Sequence, residues 1–505
     1  MSTDASPAEH SQPSGADPIG YVRPTHVIVR LDRGIEADSL DDLLAVATEF
    51  GLSDLFEQLI RHDVPARRVI REVPPEELRR IERENADDSQ EWPSLTQYWR
   101  LDLRDGRFRP EEVASAFRAL EVVERAYVEP PVVPAGGRAV RRARLAGQRA
   151  VPEGPSTALP TKASHLDAAP LGINARWVWE TYGLYGEGVH LVDVEQGWLF
   201  DHEALRHLKV PPLLAGLNAH EAGGSGDHGA AVLGIVAGEY VPPNGVRGVC
   251  PRASVLAASH FQGFDDTIHV ADTLASLGSL RPGDVVLLEV AAIEGSDDGY
   301  GDTVADQRPI ERDECVQNAI GLLTRQGIVV IEAAGNGDQD LDRLGTDGDL
   351  AQLRVGAPGY LDSGAIMVGG AEVPSPSTVA DCHPRWTDDY NPGIGSNYGS
   401  RVNSYAWARR VWSSGCEPYG SCDPRTSSYQ IFTATSAASA IIAGAAVLLQ
   451  AVHREYLGSS LEPEKLRELF ADPDNGTDSL PDAQGGRVIG VMPDLRRVAA
   501  ALGLA

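Results

Sequence analysis

The chain has 505 residues, and its 73 acidic against 44 basic side chains give a net charge of −29 at pH 7. This length favours two or more domains, and the negative charge argues against nucleic acid as a main partner. We expect no membrane span. The first residues lack the basic start and apolar core of a secretory signal peptide. We therefore expect a cytoplasmic protein or one exported without such a signal, and the compartment itself is not predicted.

Three parts and a linker follow one another along the chain. Residues 1–22 are rich in Ser, Pro, Asp and Gly and are predicted to be disordered. Residues 23–132 form a small α+β unit, whose patterns predict strands at 26–31, 98–103 and 123–129 and helices at 38–59 and 110–120. Residues 133–164 form a linker rich in Pro, Ala, Gly and Arg. Residues 165–505 form the third and largest part.

In the third part, buried strand patterns alternate with helix patterns. The predicted strands are 188–193, 254–259, 284–291, 328–334 and 366–371, and the predicted helices are 228–239, 267–279, 311–327, 436–457 and 492–502. Alternation of this kind predicts an α/β fold with a parallel, doubly wound sheet.

Four polar residues occupy strand ends or helix starts in this part. Asp193 and Asn336 each end a buried strand, His228 enters a helix from a glycine-rich loop, and Ser436 opens an Ala-rich helix. Each has an ordinary alternative as a turn residue, a structural histidine or a helix cap. Their order along the chain, however, is Asp, His and then Ser, which is one of the known orders of a serine protease triad.

With these segments the chain resembles the subtilisin-like serine proteases over about residues 165 to 460. Residues 228–234 read HGAAVLG, similar to the family's HGTHVAG, and residues 434–440 read ATSAASA, similar to its GTSMAAP. The departures are Ala434 and Ala440, where the family has Gly and Pro. In addition, Val194-Glu195 follows Asp193 where the family continues with Ser/Thr-Gly.

The resemblance implies a serine endopeptidase that acts on polypeptides through an acyl-enzyme intermediate. It assigns Asp193, His228 and Ser436 to the triad and Asn336 to the oxyanion hole. It also assigns the substrate-pairing strand to Glu289, Val290, Ala291 and Ala292. No cofactor is required and no metal site is assigned, although acidic loops at Asp297-Asp298 and 338–349 could hold structural calcium. His202, near the Asp193 segment, is expected to be dispensable.

The resemblance further implies that residues 23–132 are a ferredoxin-like prodomain that inhibits the enzyme, with an unrelated α/β module as the alternative. We expect the enzyme to cut itself between about Pro131 and His165. An alternative function is a pseudoprotease that only binds peptides, motivated by Ala434 and Ala440. Cys416 and Cys422 lie in a glycine-rich loop and could form a small disulfide.

Overall fold

The structure is a computed structural model. It describes residues 24–33, 54–87, 89–135, 163–222, 226–242, 245–263, 266–294, 306–345, 350–372, 382–388, 391–415, 429–481 and 488–504. Several predictions lie outside these residues: the disorder of 1–22, most of the helix at 38–59, the linker from 136 to 162, and the pairing of Cys416 with Cys422.

The N-terminal unit is a four-stranded antiparallel sheet with three described helices. Its strands are β1 (His26–Leu31), β2 (Ala66–Arg68), β3 (Tyr98–Asp102) and β4 (Val123–Val128), in the order β2-β3-β1-β4. Its helices are α1 (Asp54–Arg61), α2 (Pro75–Glu84) and α3 (Pro110–Arg118). The sequence analysis did not predict β2 and α2. The ferredoxin-like assignment of this unit stays a prediction.

The two faces of the N-terminal sheet bury different partners. Successive side chains of a strand point to opposite faces, so Val27 and Val29 pack on one side with residues of α1 and α3. Ile28, between them, belongs to a second cluster formed with the C-terminal part of the chain. The alternating side chains of β1 therefore pack against the unit's own helices on one face of the sheet and against the larger domain on the other.

The larger domain is built on a nine-stranded, mostly parallel sheet. The strand order is β15-β19-β20-β16-β14-β13-β10-β6-β7, with β19 antiparallel to β20. The bounds are β6 (His190–Glu195), β7 (Ser254–Ser259), β10 (Val285–Leu288), β13 (Val329–Ala333), β14 (Ile366–Ala371), β15 (Cys382–His383), β16 (Ser404–Trp407), β19 (Gly476–Ser479) and β20 (Val491–Pro493).

Helices cover both faces of this sheet, as the alternating pattern predicted. They are α4 (Ala175–Tyr182), α5 (Asp227–Ala237), α6 (Val270–Ala275), α7 (Glu314–Arg325), α8 (Thr435–Leu457), α9 (Pro463–Ala471) and α10 (Leu495–Ala501). Leu287 packs on the side of α5 and α8, whereas Val286 and Leu288 pack on the side of α6 and α7. The α/β doubly wound prediction is confirmed. Among the described helices, only α8 is long and apolar enough to cross a membrane, and it is buried in this core.

Three small sheets complete the structure. β17 (Val411–Ser414) pairs with β18 (Tyr429–Phe432), and β8 (Phe261–Gly263) pairs with β9 (Asp266–Thr267). In the third, β11 (Val290–Ile293) lies between β12 (Gln307–Pro309) and β5 (Val132–Pro134), antiparallel to both. The domain boundary predicted at residue 132 therefore falls inside a strand that belongs to the larger domain's sheet.

The N-terminal sheet packs on α6 and α7 of the larger domain. The hydroxyl of Tyr127 donates to Oδ1 of Asp313 at 2.8 Å. The buried carboxylate of Asp272 accepts the backbone N–H groups of Arg71 and Glu72 at 2.8 and 3.1 Å. Because β4 lies in this packed sheet, the chain that leaves it is delivered directly to β5.

Candidate active site

Ser436 is the second residue of α8. Helix α8 contains Ala438, Ala440 and Ala443 among its buried residues, so it can pass close to the sheet strands. The N-terminus of a helix favours negative charge, because its first N–H groups have no partner within the helix. The hydroxyl of Ser436 is therefore held where a developing oxyanion would be stabilised.

The residue before this helix, Ala434, has an unusual backbone. Its φ is 91° and its ψ is −180°, a region that is essentially restricted to glycine. Two backbone hydrogen bonds hold this conformation: Ala434 N–H donates to the carbonyl of Ala408, and its own carbonyl accepts from Ala437. The departure from the family motif at this position therefore costs conformational energy without changing where α8 begins.

His228 is the second residue of α5, and its Nε2 lies 3.1 Å from Oγ of Ser436. The ring of Phe432 packs edge to face against the imidazole, with 5.2 Å between the ring centroids. Gly229 allows the helix to approach Trp198, because a Cβ at this position would lie 2.6 Å from the indole Cδ1. The close packing of α5 against Trp198 therefore requires a glycine beside the histidine.

The acid that contacts His228 is Glu195, not Asp193 as predicted. Oε2 of Glu195 lies 2.6 Å from Nδ1 of His228. Asp193 instead accepts a hydrogen bond from Nε1 of Trp198 at 2.8 Å, and its Oδ1 has no hydrogen-bond partner among the described residues. The predicted position of the acid is thus corrected by two residues.

The extent of strand β6 explains this correction. The prediction ended the strand at 193, whereas β6 pairs with β7 as far as Glu195. Glu195 therefore lies at the carboxyl end of the strand, where α/β folds place ligand-binding residues, and Asp193 lies inside the sheet. The signal was available in the sequence: Gln196-Gly197 follows Glu195, which restores the acid-x-Gly pattern that Asp193 lacked.

Burial and neighbouring groups shift the pKa values of the carboxyl groups of Asp193 and Glu195. Burial and the neighbouring Glu195 raise the pKa of Asp193 well above its usual range. Burial also raises the pKa of Glu195, but contact with His228 acts in the opposite direction. When two carboxyls interact in this way, one proton is retained by the less well compensated group. Burial therefore favours the neutral form of Asp193, whereas the contact with His228 favours the charged form of Glu195.

Asn336 follows strand β13 and lies beside the start of α8. Its Oδ1 accepts from the backbone N–H and the hydroxyl of Thr435 at 3.0 and 2.8 Å. Its Nδ2 donates to Oε1 of Gln307 at 2.7 Å. Gln307 was not predicted, because three residues of a short strand give no recognisable pattern.

The predicted substrate strand is occupied by the chain itself. Val132–Pro134 pairs antiparallel with Val290, Ala291 and Ala292, and the N–H of Ala135 donates to the carbonyl of Glu289 at 3.1 Å. The carbonyl oxygen of Ala135 lies 3.4 Å from Nε2 of His228. The carbonyl of Ala135 is thus held beside the imidazole of His228.

The side chain of Glu289 contacts the base of α8. Its Oε1 accepts from the hydroxyl of Ser439 at 2.5 Å. Burial raises the pKa of Glu289 well above its usual range, and the nearby Asp193 and Glu195 add to this effect. Only the backbone carbonyl of Glu289 is seen to bond the occupying strand.

Other predicted features are less directly tied to the site. Nδ1 of His202 accepts from the N–H of Ala204, and its ring packs edge to face against Tyr429. No cluster of three or more metal-binding side chains occurs in the described part of the chain. Asp297 and Asp298 lie outside that part, and Asp338 forms an ion pair with Arg385 at 2.6 Å.

Comparison with known proteins gives one family and many similar solved structures, of which two are described. The family model Peptidase_S8, described as the subtilase family, matches residues 215–485, more than half of the chain. A serine-to-alanine mutant of the protease domain of PatA shares 20% identity, with a TM-score of 0.41, over 62% of this chain and 95% of that one. A cold-adapted subtilisin-like serine proteinase shares 17% identity, with a TM-score of 0.39, over 62% and 91%. No match is found among the curated proteins.

Proposed function

Since the chain belongs to the subtilase family and is a serine-type endopeptidase, we propose that Ser436, His228 and Glu195 form its catalytic triad. One observation carries this assignment. Glu195, His228 and Ser436 form a continuous series of contacts, 2.6 Å from carboxylate to Nδ1 and 3.1 Å from Nε2 to hydroxyl. This is the geometry in which a base activates a nucleophile and an acid orients the base.

The reaction would proceed in two halves. Oγ of Ser436 attacks the carbonyl carbon of the scissile peptide while Nε2 of His228 takes the hydroxyl proton. The imidazolium formed is stabilised by the carboxylate of Glu195 through Nδ1–H. His228 then gives the proton to the leaving nitrogen, which breaks the C–N bond and leaves an acyl ester on Ser436. Water hydrolyses this ester by the same steps.

The oxyanion would be held by two donors, the backbone N–H of Ser436 and Nδ2 of Asn336. The two bonds from Thr435 to Oδ1 fix which end of the amide faces the site. Removal of one such donor costs about 3–4 kcal/mol of transition-state stabilisation in this family. No cofactor takes part in this scheme. Calcium in the acidic loops would be structural, and unfolding scans with a chelator would test it.

We propose that the first substrate is the bond between Ala135 and Gly136 of the chain itself. Ala135 is fully buried and packs in an apolar cluster with Val133, Ala291, Ile293 and Ala333. Strand pairing supplies affinity that is independent of sequence, and the side-chain pocket supplies selectivity. We therefore expect a preference for a small apolar residue before the cleaved bond.

The N-terminal unit would remain as an inhibitor after this cleavage. Its sheet stays packed on α6 and α7, so the cut strand β5 is held in the groove at a high effective concentration. The alternative of a peptide-binding scaffold rested on Ala434 and Ala440. The intact contacts between Glu195, His228 and Ser436 favour hydrolysis instead.

Self-cleavage tests this proposal directly. We expect wild-type chain refolded from denaturant to yield a new N-terminus at Gly136, whereas Ser436→Ala stays intact. Ser404→Ala is the matched control, because Ser404 is also fully buried and its hydroxyl bonds only the carbonyl of Val491 among the described residues. A fluorophosphonate probe should label Ser436 in the processed enzyme. Cleavage by Ser436→Ala at the wild-type rate would exclude the assignment.

A further inference from the structure

Gln307 lies between the oxyanion donor and the bound strand. Its side chain is 1% exposed, and it belongs to β12, the strand that pairs with the far edge of the substrate-pairing strand β11. Its Oε1 accepts from Nδ2 of Asn336 at 2.7 Å. Its Nε2 donates to the carbonyl of Pro134 at 3.4 Å. One side chain therefore contacts both the catalytic amide and the backbone of the residue that precedes Ala135.

The hydrogen-bond inventory of Asn336 gives this contact a consequence. A side-chain amide has two N–H donors and one acceptor oxygen. Thr435 occupies the oxygen of Asn336, and Gln307 occupies one of its two N–H groups. The remaining N–H is the one available to an oxyanion. Gln307 and Thr435 thus fix the amide at both ends, as a preorganised donor requires.

The backbone of Gln307 is itself held in place. Its carbonyl accepts from Nδ2 of Asn397 at 2.9 Å, and the same Nδ2 donates to the carbonyl of Ala334 at 2.7 Å. Asn397 therefore ties β12 to the end of the strand that carries Asn336. Gly335 permits this approach, because its φ is 85° and an added Cβ would lie 2.8 Å from Nδ2 of Asn397.

We propose that Gln307 is a positioning residue that couples substrate binding to the oxyanion hole. When a peptide backbone occupies the groove, its carbonyl at the position of Pro134 accepts from Nε2 and orients the Gln307 amide. The oriented Oε1 then holds Asn336 with its free N–H directed at the scissile carbonyl. This inference rests on the proposed function, because it assigns Asn336 to the same reaction.

A double-mutant cycle on self-cleavage tests the coupling. The substrate strand is already bound, so the first-order rate of loss of the refolded full chain reports the catalytic step without a binding step. We expect Gln307→Met to slow cleavage at least tenfold. In an Asn336→Ala background the same change should slow it less than threefold, because the amide that Gln307 orients is absent. Interaction between residues in one network produces such non-additivity.

Further variants separate positioning from a loss of stability. Gln307→Ala removes side-chain volume and so cannot introduce a steric clash. Its effect on the cleavage rate should likewise be smaller in the Asn336→Ala background than in the wild type. Gln317→Leu is the matched control, because Gln317 is also buried but its side chain donates to the carbonyl of Leu361 in the helix and loop region away from the groove. It should cleave within twofold of wild type.

The outcomes are distinguishable. Equal fold losses from Gln307→Met in both backgrounds, or no loss in the wild-type background, would overturn the coupling while leaving the triad in place. A wild-type chain that neither cleaves itself nor accepts the fluorophosphonate probe would overturn the proposed function, and the coupling with it.

Discussion

The proposed assignment of Glu195, in place of Asp193, as the catalytic acid predicts opposite results for two substitutions that look alike. Glu195→Gln retains the size of the side chain but removes the charge that stabilises the imidazolium, and its amide N–H₂ favours the wrong tautomer of His228. We expect kcat to fall by about 10⁴-fold, equivalent to about 5.5 kcal/mol of barrier. By contrast, Asp193→Asn should change kcat by less than about threefold.

The small effect at Asp193 follows from its surroundings. Burial and Glu195 raise its pKa, which favours the neutral acid, and an amide resembles that form in shape and charge. The amide oxygen can still accept from Trp198, whose indole N–H is 2.8 Å from the carboxyl. The first-order rate of self-cleavage of the refolded full chain, a single-turnover measure of the chemical step, compares both variants with wild type. Loss of activity in Asp193→Asn with survival of Glu195→Gln would refute the placement of the acid.

Three further predictions use the same protein. Ala434→Gly should raise the free energy of unfolding by about 1 kcal/mol. Removing the backbone strain of a φ of 91° gains about 1–3 kcal/mol, which exceeds the conformational entropy cost of a glycine, about 0.5–1 kcal/mol. A lower stability in urea would contradict this prediction. Arg401→Met should lower the free energy of unfolding by about 3–5 kcal/mol. In the wild type Nε of Arg401 lies 2.6 Å from Glu311, and the substitution leaves that buried carboxylate without its cation. An unchanged urea midpoint would contradict this prediction. Burial lowers the pKa of His26 and of His260 to about 4, and His260 also senses charges of the N-terminal unit. Both histidines regain an ordinary pKa when the chain unfolds, so their contribution lowers the free energy of unfolding as pH falls from 6.5 towards 4. Urea unfolding at pH 7 and 4.5 should give the lower free energy of unfolding at pH 4.5, and a higher value at pH 4.5 would disprove the mechanism.

Much of the larger domain could be predicted because its strands are short apolar runs separated by amphipathic or small-residue helices. Strands β7 and β14 have the predicted bounds, and α8 begins one residue early. Local patterns identify such elements because burial on both faces of a parallel sheet imposes them. The same patterns fixed His228, Asn336 and Ser436 at the positions where the structure brings them together.

The features that were missed depend on register or on distant contacts. Strand periodicity does not reveal how far β6 extends, and two residues of extension decide whether Asp193 or Glu195 reaches the histidine. Gln307 becomes recognisable only when β12 is paired beside β11, since neither its strand nor its residue type is distinctive. The substrate strand was predicted, but its occupation through Ala135 requires the packing of the N-terminal unit.

The position of β5 in the chain also has a consequence during synthesis. About 300 residues separate Ala135 from Ser436, and at ~5–20 residues per second a ribosome needs roughly 15–60 s to make them. The N-terminal sheet can therefore fold long before the nucleophile emerges. The groove of each new molecule then forms next to a segment that is already tethered to a folded unit, so we expect the groove to be filled as it forms.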